Sequence, residues 1–534
     1  MKVKGFSRVF LLVTCLFLFL TVQVYSNGQS EKQDLTVVSM AIPSTWDTLM
    51  PLNTTSAYSD AIFDLIFDRL LVIRQDGSYE SRLAEKYEVS ENSDEIVFYL
   101  NKNARWHDGE PVLAEDVVFT FQVAAHPESQ VIRKSRMVYF KGTDESGAAY
   151  PDELKIEAID NHTVRMKLKT PMDPETIFAL VNRDMYIIPK HILKDIPMNE
   201  IAGHEFWSNP TVGSGPCILS DMISGERIEM DANKNYHLGA PDFDRLIVRV
   251  VPSTNFLAGL MSGEIDIIGG GNFASIPLKD WELTKKQDNL IKKSLPSLAY
   301  QYMAINTSKD YFSQEIRQAI NIAINRDLMI DQLMKGEGEA AIGPLSQSHK
   351  YFNNNMLPIE YNVEKAKEIL KSSGFDTSRE HLMLVPKGNI IRENSAPLLQ
   401  QDLAKIGIKV KIQTLDFPTL LSSVRKGDYD FALIGSAGSL DPHESVTLVT
   451  VGDPCNFAHV SDTTLGDIGN RGMRATNFTE RKKVYDEYQI TLKKQVPMTW
   501  LYFQNNLYAY NNRLSNVHVE DFFANACVWE WEVE

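Results

Sequence analysis

The sequence predicts an α/β protein with two separate α/β cores and an α+β block inserted beside the first, and three observations carry that prediction. Two distant stretches share one grammar of strand, helix, glycine stop and strand. A block ahead of both changes to short alternating strands. No long Pro, Gly or Ser linker and no low-complexity tract follows Gln33, so the units are interleaved along the chain rather than strung on it. At 534 residues the chain is long enough for roughly three or four structural units and needs no disulfide framework to bury a core.

The N-terminus carries Lys2, Lys4 and Arg8 ahead of an apolar run from Val9 to Val24, with Val24-Tyr25-Ser26 as a cleavage position. This predicts a secretory signal peptide over 1–26, because the run falls short of the roughly 20 apolar residues that span a bilayer. Cutting before Cys15 instead would leave Leu16 to Leu20 on the mature chain, so no lipid anchor is expected. Losing 1–26 removes three basic residues and no acidic one, which takes the formal charge from −16 to −19. Such a chain is a poor partner for nucleic acid, whose phosphates need clustered Lys and Arg. Cys217, Cys455 and Cys527 remain, far apart and in no CxxC pair. They allow at most one bridge and suit neither zinc nor redox work; buried small hydrophobes are the simpler reading.

Between about 73 and 205, alternation at Ile96, Phe98 and Leu100, and at Val164, Met166 and Leu168, predicts the short strands of the inserted block. Leu246 to Val251 then reads as a strand, Thr254 to Ser262 as a helix stopped by Gly263, and Ile265 to Ile268 as the next strand. In the second core, Ile316, Ala319, Ile320, Ala323 and Ile324 recur at helical spacing. Leu398 to Ile406 forms a helix that ends at Gly407, and Ile408, Val410 and Ile412 alternate with polar residues as a strand. A helix from about Pro418 to Lys426 stops at Gly427, and Tyr429 to Ile434 is a buried strand, completing a βαβ unit.

Against that frame, one run stands out: Arg105-Trp106-His107-Asp108-Gly109-Glu110-Pro111, followed by Ala114-Glu115-Asp116-Val117-Val118-Phe119-Thr120-Phe121. It resembles the signature of the family 5 extracellular solute-binding proteins, the oligopeptide-, dipeptide- and nickel-binding components of ABC importers. Further pieces follow in that family's order: Ile188-Pro189-Lys190-His191, Gly213-Ser214-Gly215-Pro216, Asn235-Tyr236-His237-Leu238-Gly239, Ser262-Gly263-Glu264-Ile265-Asp266, Arg317-Gln318-Ala319-Ile320, Ala323-Ile324-Asn325-Arg326 and Gly427-Asp428-Tyr429-Asp430. The resemblance implies a type II periplasmic-binding-protein-like fold. Lobe one would take 27–72, 206–297 and 503–534, the inserted subdomain 73–205, and lobe two 298–502. It further implies a monomer, periplasmic or at the cell surface, that captures a small-molecule ligand between hinged lobes and hands it to a membrane permease. In that scheme the ligand alone touches both lobes and so favours closure. Peptide is the first expectation, oligosaccharide the second and a metal chelate the third; no cofactor and no catalytic group are expected.

Several residues invite a sharper reading and also admit a plain one. His107-Asp108 lies in a turn closed by Gly109 and lacks a third partner, so its expected role is structural. Gly269, Gly270 and Gly271 follow a strand without the Lys-Ser or Lys-Thr of a P-loop and are expected to form a turn. Ser214 and Ser436 sit in no G-x-S-x-G, which disfavours a secreted hydrolase. In peptide-binding relatives the loop after the strand ending at Ile434 carries an Asp, in a W-x-x-D-Y-x-x-P context, that pairs with the peptide's ammonium. Here the loop reads Gly435-Ser436-Ala437-Gly438-Ser439-Leu440-Asp441-Pro442, with Ser436 where the Trp would stand and Gly438 in place of the Asp. Asp441 or Glu444 is the expected substitute. His443 lies beside Glu444, but a metal site needs more ligands than this stretch offers. By the same resemblance Lys387 meets a ligand carboxylate, and Trp46, Tyr58, Tyr300 and Tyr302 are candidate aromatic contacts, each also readable as core.

Overall fold

A computed structural model describes residues 35–74, 77–269, 274–519 and 527–534. The predicted signal peptide, Cys15 and two of the three consecutive glycines, Gly270 and Gly271, lie outside the described residues.

The first lobe is built on a seven-stranded sheet. Its central strand, Val37–Ile42, is buried along its length, and runs parallel to Arg245–Val250 on one side and Ile267–Ile268 on the other. Helix Phe256–Ser262 connects those flanking strands, and Gly263 ends it at φ +75°, where a glycine relieves the left-handed strain. The predicted strand–helix–strand unit therefore exists, with an N-terminal strand seated between its two strands. Asn506–Asn511 and Leu290–Leu295 extend the sheet antiparallel.

Lobe two repeats this device on a six-stranded sheet. The strands Lys409–Leu415 and Phe431–Ser436, predicted as neighbours in a βαβ unit, are both parallel to Glu380–Pro386, which lies between them. Helix Phe417–Lys426 connects them and stops at Gly427, φ +79°. The intervening strand is apolar on both faces, as a strand sandwiched between helices must be. Tyr300–Ile305 and Met498–Gln504 complete the antiparallel half. Between them, the two halves of the sheet divide lobe two into separate cores on its two faces.

The chain crosses between the sheets twice: once through 296–299, linking Leu290–Leu295 to Tyr300–Ile305, and once at Asn505, linking Met498–Gln504 to Asn506–Asn511. The second crossing corrects the expected boundary at 502/503, since the lobe-two strand runs on to Gln504. The inserted block holds a four-stranded antiparallel sheet, with Glu95–Leu100 and Thr163–Lys167 at its centre, packed on helix Ala114–Ala125. Cys217, Cys455 and Cys527 are free thiols, the first and last buried, and no bridge joins them.

Candidate functional site

The most recognisable residues of the sequence turn out to be joints. His107 is the clearest: its Nδ1 accepts the Gly213 amide at 3.0 Å and its Nε2 lies 3.0 Å from the Gly215 carbonyl oxygen. Asp108 pairs with His191 at 2.8 Å. Asp116 accepts the amides of Leu113 and Lys190, and the Ser214 hydroxyl accepts the Asp68 amide. His107 thus ties the insertion to lobe one, while the other contacts brace each unit internally, and Ser214 is 1% exposed. In lobe two Arg326 donates to the carbonyls of Trp500, Asn321 and Ile324, and Asp430 accepts the Leu382 amide, which fixes helix against sheet.

In open α/β sheets, ligands bind beyond the carboxyl ends of parallel strands. In lobe one that end is the loop after Ile42. There Asp47 collects the hydroxyls of Thr54 and Ser59 and the Thr55 amide, which hold its carboxyl low against the burial that would raise it. The folded loop sets Trp46 and Tyr58 half-buried against the lobe-one core. In lobe two the end is formed by Lys387, which is exposed, and by the loop 435–444.

That loop is organised by Asp441. Its two carboxylate oxygens accept Arg481 Nη2 at 2.8 and 2.7 Å, and Oδ1 also accepts the His443 amide to cap the 3-10 helix Pro442–Val449. Both partners are at most 1% exposed. This corrects the expectation that Asp441 serves as a ligand anchor: its charge is spent inside the lobe. Tyr300 and Tyr302 are likewise corrected. They are 3% and 1% exposed, packed 5.4 and 5.5 Å from the Trp500 ring in the lobe-two core, and cannot reach a ligand without unfolding the sheet end. The Ser436 hydroxyl accepts the Gly438 amide at 3.1 Å, which turns the chain at the strand end. Gly438 adopts φ +73°. His443 Nδ1 lies 3.2 Å from the Tyr485 hydroxyl and His349 Nε2 3.0 Å from the Ser439 carbonyl, so both imidazoles serve the lobe.

Glu444 differs from its neighbours. Its side chain is 39% exposed, and among the described residues its one ion-pair partner is Arg136 of the insertion, at 3.9 Å across the gap between the two bodies. Arg136 belongs to a group that sequence reading missed. Arg133, Arg136 and Arg183 surround Asp184 at 3.5, 2.8 and 3.4 Å. Burial would raise the Asp184 carboxyl, but the three guanidinium groups hold it down at about 2. Asp60, 3.6 Å from Arg133, has the opposite fate: burial outweighs the arginines, and its carboxyl rises to about 7. A second missed residue is Arg392, at the carboxyl end of the lobe-two sheet. Its Nε donates to Gln301 at 2.7 Å, its guanidinium fills the space a Cβ at Gly435 would need, and among the described residues no carboxylate pairs with it. Burial pulls this guanidinium below its ordinary range. The arginines are scattered along the chain, so only folding reveals them as neighbours.

The Asp60 shift gives a pH prediction. Because its folded carboxyl holds a proton that the unfolded chain releases above the ordinary carboxylate range, the group's contribution to stability falls as pH rises towards and through about 7. Asp60→Asn is expected to raise the melting temperature more at pH 8 than at pH 5. An equal shift at both would show that the carboxyl is not held protonated.

Two α/β lobes joined by two crossings, with an inserted subdomain and charged side chains facing one another across the gap, define a two-lobed binding protein of the type II class. The chain belongs to the bacterial extracellular solute-binding proteins, family 5, whose "family 5 Middle" model matches residues 78–455. It is 26% identical over 493 residues to the oligopeptide-binding protein AppA of Bacillus subtilis, covering 89% of this chain and 86% of that one. It is 27% identical over 452 residues to heme-binding protein A of Haemophilus influenzae, covering 81% and 80%. Among solved structures, the substrate-binding protein CtaP of Listeria monocytogenes superposes with a TM-score of 0.81 at 23% identity, over 94% of this chain and all of that one. AppA of Bacillus subtilis in complex with a nonapeptide gives 0.70 at 23% identity, over 93% and 99%. Among the described residues, no helix is long and apolar enough to cross a membrane.

Proposed function

We propose that the protein is the extracytoplasmic peptide-binding component of an ABC importer, exported by the segment 1–26 and carrying out no chemistry on its ligand. The observation that carries the peptide reading is the pair of opposite charges at the carboxyl end of the lobe-two sheet that lobe two itself leaves unpaired. Glu444 is the acid of the 435–444 region that its own lobe leaves unpaired, and is suited to an α-ammonium group. Arg392 is a half-buried cation without an acid, suited to a carboxylate. A free peptide supplies both groups, and the relatives named for oligopeptide and D,D-dipeptide binding fit the same reading. Arg392 replaces the exposed Lys387 as the carboxylate partner because a desolvated guanidinium gains more from a counter-charge than a solvated ammonium does. Oligosaccharide has neither charge to offer. A metal chelate would call on His443 or His349, which the lobe already occupies.

The test is calorimetry of the exported protein against a peptide library in free, N-acetylated and C-amidated forms, beside a turnover assay. Glu444→Gln is expected to raise Kd for free peptides by about 10–100-fold and to have little effect on N-acetylated ones. Arg392→Gln is expected to do the same for free against amidated C-termini. Binding that ignores both end groups would remove the peptide reading, and consumption of the peptide would replace the receptor by an enzyme.

A further inference from the structure

Contrary to the expectation from sequence, a ligand is not alone in spanning the two bodies. Lys350 of lobe two reaches across to the insertion, where its ammonium pairs with the Glu175 carboxylate and lies 3.5 Å from the Gly77 carbonyl oxygen. Around that ammonium stand three aromatic rings, Tyr79 from the insertion side and Tyr351 and Phe478 from lobe two, with centroids 5.5, 5.6 and 5.5 Å away. All are within the range at which a ring face attracts a cation.

Beside this cage the main chains also meet. The Asp173 amide donates to the Ala475 carbonyl at 2.8 Å, the Ser93 hydroxyl to the Thr476 carbonyl at 3.4 Å, and the Tyr351 hydroxyl to the Asp173 carboxylate at 3.4 Å. Asp173 in turn caps helix Pro174–Leu180, which carries Glu175, so the helix start, the cage and the backbone bridge move as one piece. A methylene of Lys350 also fills the space over Gly77. The apolar stem packs while the charged end is held.

We infer that Lys350, its aromatic cage and Glu175 form a clasp that holds the insertion and lobe two together without ligand, so that the ligand-free protein already populates the arrangement described above. The clasp rests on contacts within this chain and stands whatever the ligand is. Its consequence is energetic: binding adjusts an equilibrium that the protein has biased in advance, and the reach of a ligand's contacts to both lobes is not the sole source of lobe order.

The experiment is hydrogen exchange on the ligand-free protein, read in segments covering 172–176, with small-angle scattering on the same samples. The Asp173 amide is protected only while it donates to Ala475 across the gap. In the wild type that segment is expected to exchange slowly and the scattering curve to match the described arrangement. Lys350→Met and Glu175→Gln should each speed exchange there by about tenfold and widen the distance distribution, with the double variant no worse than either single. Lys350→Arg should retain protection, and exchange within Tyr300–Ile305 should stay slow in every variant, which excludes unfolding. Unchanged exchange and scattering in Lys350→Met, or fast exchange at 172–176 in the wild type, would overturn the clasp. Neither outcome touches the peptide reading, which is tested by binding alone.

Discussion

Asp441→Ala is expected to lower the stability of lobe two by about 3–5 kcal/mol, the cost of leaving a buried charge without its partner. Arg481 is 1% exposed and donates twice to Asp441, and burial would push its guanidinium down were it not for that carboxylate and the phenols of Tyr351 and Tyr485. The rings of those two tyrosines lie 5.3 and 5.4 Å from it, so the guanidinium left behind stays largely desolvated. Losing Asp441 also removes the cap of the 3-10 helix Pro442–Val449, which carries Glu444. The variant should therefore bind ligand poorly through disorder of that helix, not through loss of a contact. Chemical denaturation monitored by the lobe-two Trp500 reads the first effect. The companion Asp441→Leu/Arg481→Met, which removes both charges, is expected to recover most of the stability. Failure of that rescue, or a cost below about 1 kcal/mol for Asp441→Ala, would mean that the pair is solvated in solution.

The same pair shows where sequence reading succeeds and where it stops. Helix stops at Gly263, Gly407 and Gly427 were legible because a left-handed residue after an apolar periodic run has a local cause, and all three take positive φ. The family runs were legible too, yet what they encode is architecture: His107 on Gly213 and Gly215, Asp108 on His191. The candidate site is assembled from single residues. Arg136 meets Glu444 and Arg481 meets Asp441 across long stretches of chain, and no spacing rule links them. The place of the strand interposed in each core is not legible for a related reason, since a buried parallel strand carries no mark of its neighbours. By sequence Asp441 is as good an anchor as Glu444, because an acid in that loop looks uncommitted until its arginine is found.

Gly438 gives the second large effect, and it concerns the missing anchor directly. If the glycine merely replaced an ancestral acid, Gly438→Asp would restore an ammonium site and tighten peptide binding. The geometry forbids this. The residue sits at φ +73°, and a Cβ there would lie 1.9 Å from the Leu298 carbonyl oxygen and 2.4 Å from its carbon. Leu298 belongs to the first crossing segment, so the obstacle is backbone that also links the two sheets. No rotamer change relieves a clash at Cβ, and the crossing must shift or the loop must leave its turn. The expected cost is about 3 kcal/mol or more, combining the left-handed backbone with overpacking. Gly438→Ala should cost nearly as much as Gly438→Asp, because the clash begins at the first side-chain atom, and neither should bind peptide more tightly than the parent. A Gly438→Asp protein with unchanged melting temperature and improved affinity would show that the loop departs readily from Leu298, and that Glu444 is not the residue on which the ammonium settles.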